Sequence, residues 1–304
     1  MSPHLSVNLV TDLRELLAYH FMVNALLGGS LVALIAAPLG WFMVLRSETF
    51  AGHTLSMMAF PGASGAALAG IGAAWGYFFF CLAGALAIGG LSGGRSGEGE
   101  RSANIGTIQA VALAVGFLFL SLYGGVLSDL EDLLFGNLLG ISDGQLITIC
   151  AVSLCSLGAL SIFARPLLFA SVDAELAAAR GVPVRSLSTL FLIALALAVA
   201  AISQITGVLL VFALLVAPAA SAQTLSPRPL TSLLLSVLFA LVIVWLGLGI
   251  AYFSSYPAGF YIASVAFAVY LAARLAALLS ERRPRRPRRR DQPSATAPMG
   301  GVSR

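Results

Sequence analysis

The chain has 304 residues, 59% of them hydrophobic and only 10% charged, with a formal net charge of +4 and a mean hydropathy of +0.95. That is far more apolar surface than a water-soluble domain can bury, so a soluble fold is excluded and an all-α polytopic membrane bundle is expected. All 17 basic residues are arginine, so the Gly-Lys-Ser/Thr grip of a P-loop is excluded too, and any ATP energy must come from another chain.

Residues 1–20 contain the mixed, partly acidic segment HLSVNLVTDLRELLAYH, without a basic n-region or a small-residue cleavage site. They are read as an extracytoplasmic segment and not as a removable signal. Apolar runs of spanning length follow near 21–45, 50–73, 75–91, 106–128, 145–165, 187–203, 205–222, 231–253 and 257–276, giving nine crossings, with eight as the alternative count. These form one transmembrane domain over 21–276.

The second run opens with FAGHTLSMMAFPGASG, Phe50 to Gly65. At helical spacing His53 and Met57 share a face, which Phe60, Pro61 and Ser64 continue. An ionisable group at this depth usually faces a bundle interior or a wet path, while Pro61, Gly62 and later Pro218 permit bending or gating. Two readings of His53 stay open: a ligand on a metal path, or an interfacial histidine satisfied by a backbone carbonyl.

The stretch LSGGRSGEGERSAN, 91–104, reads as a loose Gly/Ser-rich loop with no chemistry. Cys81, Cys150 and Cys155 fall inside spans with no C-x-x-C, and are expected to be buried apolar packers. The run SVDAELAAARGVPVRSL, Ser171 to Leu187, is too polar and too short to cross. Asp173 can cap a helix, AELAAAR favours one, Gly181 suits a left-handed stop and Pro183 prevents continuation. A surface helix near 173–181 is therefore predicted. It is either a peg that takes up motion from a separate ATPase, through Asp173, Glu175, Arg180 and Gly181, or a connector without a partner.

The tail from 281 to 304 is Arg- and Pro-rich and has nothing to fold around. Its arginines read as a topology signal and a contact for anionic lipid head groups, not as a nucleic-acid site. With that tail inside, nine crossings leave only Arg14 outside among the basic residues and collect Asp129, Glu131, Asp132 and Asp143 on the outer face. The expected topology is N-terminus out and C-terminus cytoplasmic, in the plasma membrane of a prokaryote.

From about Leu31 to Arg274 the chain resembles the permease subunits of the zinc and manganese ABC importers, the ABC-3 family. The matching pieces are FAGHTLSMMAFPG, LLFGNLLGISDGQL at 133–146, DAELAAARGV at 173–182, GVLLVFALLVAPAASA at 207–222 and SSYPAG at 254–259. The resemblance implies divalent-metal import by alternating access. It also implies an assembly with a second permease copy, cytoplasmic ABC ATPases and an extracytoplasmic metal-binding protein, and no stably bound cofactor. In the family's second span, F-x-G-D-x-L-x-H-x-x-x-P-G, an aspartate and a histidine are the path residues. His53 and Met57 stand at those positions here, and Tyr256 stands where an acidic residue often precedes Pro-x-Gly. Imidazole and thioether are softer donors than carboxylate, which tilts the expected cargo toward zinc, with manganese next. The alternatives are a gradient-driven secondary metal transporter, for which no mid-span Asp, Glu or Lys is found, and an ABC permease for a chelate such as a siderophore or cobalamin.

Overall fold

The computed structural model describes residues 19–91, 98–123, 136, 138–254 and 256–281. Among these residues there is no strand. The helices are α1 (His20–Leu45), α2 (Thr49–Ala69), α3 (Ala73–Leu91), α4 (Glu98–Tyr123), α5 (Asp143–Val172), α6 (Ala174–Ala179), α7 (Val184–Leu225), α8 (Pro229–Tyr252) and α9 (Ala258–Glu281), with a 3-10 turn at Leu138–Gly140 before α5. Residues 1–18 and the tail beyond 281 lie outside the described residues, as do Asp129, Glu131 and Asp132.

Local chemistry sets the ends. Gly70, at φ 67, closes α2 in the left-handed region. Ser142 and Gln145 form a reciprocal capping box at the start of α5, and Pro229 opens α8 at a position where its missing N–H costs nothing. One expectation is corrected here. The stretch 91–104 is not loose throughout, because α4 begins at Glu98 and its first turns carry Arg101 into an ion pair. Cys81 is buried as expected, whereas Cys155 is exposed on α5.

Among the described residues seven helices are long and apolar enough to cross a membrane: α1, α3, α4, α5, α7, α8 and α9. Helix α2, whose 21 residues include His53, Thr54, Ser56 and Ser64, is less apolar and is largely enclosed by its neighbours. Helix α7 is 42 residues long, which would be about 63 Å if straight, twice the thickness of a bilayer core. It is not straight. Gly207 breaks it with φ 71 and ψ 168, and the contacts of its two ends show that the chain turns back there. Ser188, near its start, accepts from Arg46, and Gln223, near its end, donates to the carbonyl of Trp41. Arg46 and Trp41 are neighbours at one end of α1, whereas a straight helix would hold Ser188 and Gln223 about 52 Å apart. Two antiparallel limbs, 184–206 and 208–225, therefore meet at Gly207. Counting both limbs and α2, the described chain passes nine times through the bundle.

Those contacts define the two ends. At one lie His20, Asn24, Asp143 and the Gly207 reversal, which is covered by the Gly136 backbone (φ 70) so closely that no Cβ fits between them. At the other lie Arg46, Glu48, Arg101, Ser171 and Ser188. Helix α7 is the most enclosed span and α4 and α9 the least. Phe117 of α4, Ile162 of α5 and Phe267 of α9 are exposed, an apolar exterior that suits contact with lipid or another subunit. Glycines allow the tightest crossings: a Cβ on Gly62 would come within 2.6 Å of the Gly76 carbonyl oxygen. The role of Gly62 is thus to let α2 and α3 touch backbone to backbone.

Candidate metal path

Helix α2 is buried along most of its length but half-open at His53 and Met57, one turn apart. Their placement follows from the crossing beneath them: Gly52 has no side chain, and the sulfur of Met43 from α1 occupies the space a Cβ would take. Glu48 and the first turn of α2 are thereby held against α1, and His53 projects toward the second limb of α7. Its ring meets Phe212 edge-on, with centroids 4.7 Å apart. Nδ1 of His53 is buried and has no hydrogen-bond partner among the described residues, so the carbonyl-satisfied alternative does not describe that nitrogen there. Such an atom can accept a proton or bind a cation without breaking an existing bond.

The half-open face does not continue as the helical spacing suggested. Phe60, Pro61 and Ser64 are buried. Phe60 packs against Phe117 of α4 at 5.0 Å, and the hydroxyl of Ser64 donates back to the Phe60 carbonyl. The reason is tertiary: α4 crosses at Gly116, which is close enough to touch both Phe60 and Pro61. The His53 face is half-open only as far as Met57, and α2 opens again only at its other end, at Leu68 and Ala69. Opposite His53 and Met57 the second limb of α7 shows a matching half-open stripe, Phe212, Ala213, Val216, Ala217 and Ala220, of mostly small side chains, while Pro218 is buried behind it. Among the described residues no group of three His, Cys, Asp or Glu side chains is close enough to hold a metal. A transit site of His53 and Met57 would be an incomplete ligand set, suited to weak binding and release.

Tyr256 lies at the opposite end, exposed, just past α8, whose Tyr252 ring faces that of Tyr19 beside His20. At that end Asn24 donates to Asp143 Oδ1 at 3.0 Å, and His20 Nε2 lies 3.8 Å from the same oxygen. Asp143 is therefore the one described member of the predicted acidic group, and its role in the fold is to begin α5.

The loop helix forms as the residues dictate. Asp173 Oδ1 accepts from the Leu176 N–H at 2.8 Å, and Gly181 at φ 82 ends α6, its N–H donating to Ala178. Ala177 is buried and anchors α6 to the bundle, while Glu175, Leu176, Arg180 and the preceding Val172 are exposed.

Sequence reasoning missed one cluster at this end. Glu48 Oε1 accepts from Arg46 and Arg101, at 3.1 and 3.2 Å, and the Arg46 and Glu48 side chains are only 8% and 2% exposed. A buried carboxylate is tolerable because it is paired; removing one partner of such a pair typically costs about 3–5 kcal/mol. The signal is an acidic residue in the short turn Arg46-Ser47-Glu48, between two apolar helices.

Comparison with known proteins places these features in context. The model of the ABC 3 transport family matches residues 18–277. The manganese transport system membrane protein MntC of Halalkalibacterium halodurans is 31% identical over 235 residues, 77% of this chain and 80% of that protein. The manganese import system permease protein ScaB of Streptococcus gordonii is 29% identical over 255 residues, 84% and 91% of the two chains. Among solved structures, PsaBC from Streptococcus pneumoniae in complex with Fab superposes with a TM-score of 0.77 at 27% identity, covering 90% of this chain and all of the matched one.

Proposed function

Because the chain belongs to the ABC 3 transport family, a family of membrane permeases, we propose that it carries a divalent transition metal inward through an ATP-driven importer, with manganese as the cargo its relatives favour. The observation that carries this reading is the half-buried imidazole of His53, which packs edge-on against Phe212 of the second limb of α7 and whose buried Nδ1 has no hydrogen-bond partner among the described residues. The small-residue stripe opposite it suits close approach by a second copy of the chain, so that two His53–Met57 pairs would border one central path. With no lysine for a P-loop, the energy comes from partner ATPases. The exposed Val172, Glu175, Leu176 and Arg180 on and beside α6 offer them a rigid docking surface. An extracytoplasmic metal-binding protein would deliver the ion at the His20–Asp143 end. Rocking of the two permeases would then open the path to one side at a time.

Zinc remains a second reading because of one observation: imidazole and thioether stand where the family carries carboxylate and imidazole, and softer donors favour zinc over manganese. Competition decides between them. In cells without other manganese uptake, the permease expressed with its ATPase should support radioactive manganese uptake that stops on ATP depletion and is blocked by excess manganese. Stronger inhibition by zinc than by unlabelled manganese would favour the second reading. Uptake that survives ATP depletion but collapses with the ion gradient would make the protein a secondary transporter.

The arginine distribution supports a plasma-membrane orientation with the N-terminus outside. Gly144 and Ala179 are exposed at opposite ends of the bundle. A cysteine at Gly144 should react with an impermeant maleimide in intact cells, and one at Ala179 only after lysis. The reverse pattern would invert the orientation.

A further inference from the structure

The α1–α2 turn, α4, the end of α5 and the start of α7 converge on one ion cluster at the Arg46 end, in which the Arg46 and Glu48 side chains are buried. The Arg46 guanidinium donates to Ser171 Oγ, two residues before the Asp173 cap of α6, and to Ser188 Oγ, just after α7 begins. It thus holds the chain on both sides of the loop helix. The same guanidinium lies 5.6 Å over the Phe191 ring and donates through Nε and an Nη to Glu48 Oε1. Glu48 in turn begins α2, its carbonyl accepting from the Gly52 N–H at 3.0 Å, one residue before His53.

We propose that Arg46, Glu48 and Arg101 form the mechanical joint through which displacement of α6 reaches the His53 turn of α2. This rests on the reading of the chain as an ATP-driven permease. These are positioning residues, not metal ligands: two arginines beside one carboxylate repel a cation. The cluster also has an unmade bond. Among the described residues Glu48 Oε1 takes every arginine contact, whereas Glu48 Oε2 and Arg101 Nε are both buried without a partner. Arginine and carboxylate pair best through two parallel bonds, so the Arg101–Glu48 pair is held here by one bond of a possible two. A cavity of about 220 Å³ lined by Arg46, Glu48, Phe50, Arg101 and Ser102 leaves room for that change. A second arrangement, with α4 shifted against α2 and the fork closed, gives the joint two discrete positions, as a switching element requires.

The test uses the permease with its ATPase in proteoliposomes, with manganese as the probe. Arg46→Gln should leave ATP turnover within about two-fold of wild type while uptake per ATP falls by about ten-fold or more. Arg101→Lys, which keeps the charge but cannot form the fork, should lower the same ratio. If Arg46→Gln fails to assemble, the double variant Ser171→Ala/Ser188→Ala, which frees both flanks of α6 without stranding a charge, should lower the ratio in its place. Turnover and uptake falling together, or an unchanged ratio, would reduce the cluster to a structural ion pair. Absence of ATP-dependent uptake in the wild type would instead sink the importer reading. The joint is then judged in the purified permease alone, by amide exchange of residues 49–53. Faster exchange there in the double serine variant supports it, and unchanged exchange overturns it.

Discussion

His53→Ala should cut metal uptake by at least about ten-fold, the scale on which perturbing a metal's ligand environment acts, while the amount of inserted protein stays unchanged. The second half of that expectation follows from the site. Among the described residues Nδ1 has no partner to be stranded, the ring is only half-buried, and its aromatic contact is an edge-on one with Phe212. Truncation therefore leaves no orphaned polar group, and a loss of transport can be assigned to the path. His53→Asp supplies a hard oxygen at the same place, so it should retain transport and shift preference toward manganese. Met57→Leu removes the thioether at nearly constant volume and should have a milder effect. Uptake assays with manganese, zinc and copper across the three variants, normalised to permease in the membrane, provide the measurement. Wild-type uptake in His53→Ala would make the histidine a packing residue.

Gly181→Pro should abolish uptake and co-purification of the ATPase while the permease still inserts. Gly181 sits at φ 82, its N–H donates to Ala178, and the adjacent Val182 N–H donates to Ala177. Proline holds φ near −65° and has no N–H, so both the turn and the bond are lost and the end of α6 must rearrange. Gly181→Ala is the control. No atom lies within 4 Å of the place its Cβ would take, so its penalty is that of a non-glycine residue in the left-handed region, about 1–2 kcal/mol. It should weaken docking without abolishing it. Normal transport by Gly181→Pro would remove α6 from the coupling route.

Features set by near neighbours in sequence were legible. Asp173, Gly181 and Pro183 delimited α6 because capping, left-handed turns and proline restriction act within a few residues. The shared face of His53 and Met57 followed from one helical turn. The two adjoining runs at 187–203 and 205–222 anticipated two crossings, since a single run of that length exceeds one, but put the break at Gln204, three residues before the reversal at Gly207. What covers a face was not legible. Helical spacing continued the His53 stripe to Phe60, Pro61 and Ser64, and only the crossing of α4 at Gly116 closes it. Arg101 lies 53 residues from Glu48, in a stretch whose Gly and Ser content disguised the first turns of a helix. An ion pair across that separation leaves no periodic trace.

The single-residue reversal at Gly207 also bears on how the protein is made. Each limb of α7 is followed by the other with no hydrophilic segment between them, so there is no soluble loop to be threaded across the bilayer on its own. A one-residue turn ties the two limbs into a single helical hairpin, so neither can take its place in the bundle without the other.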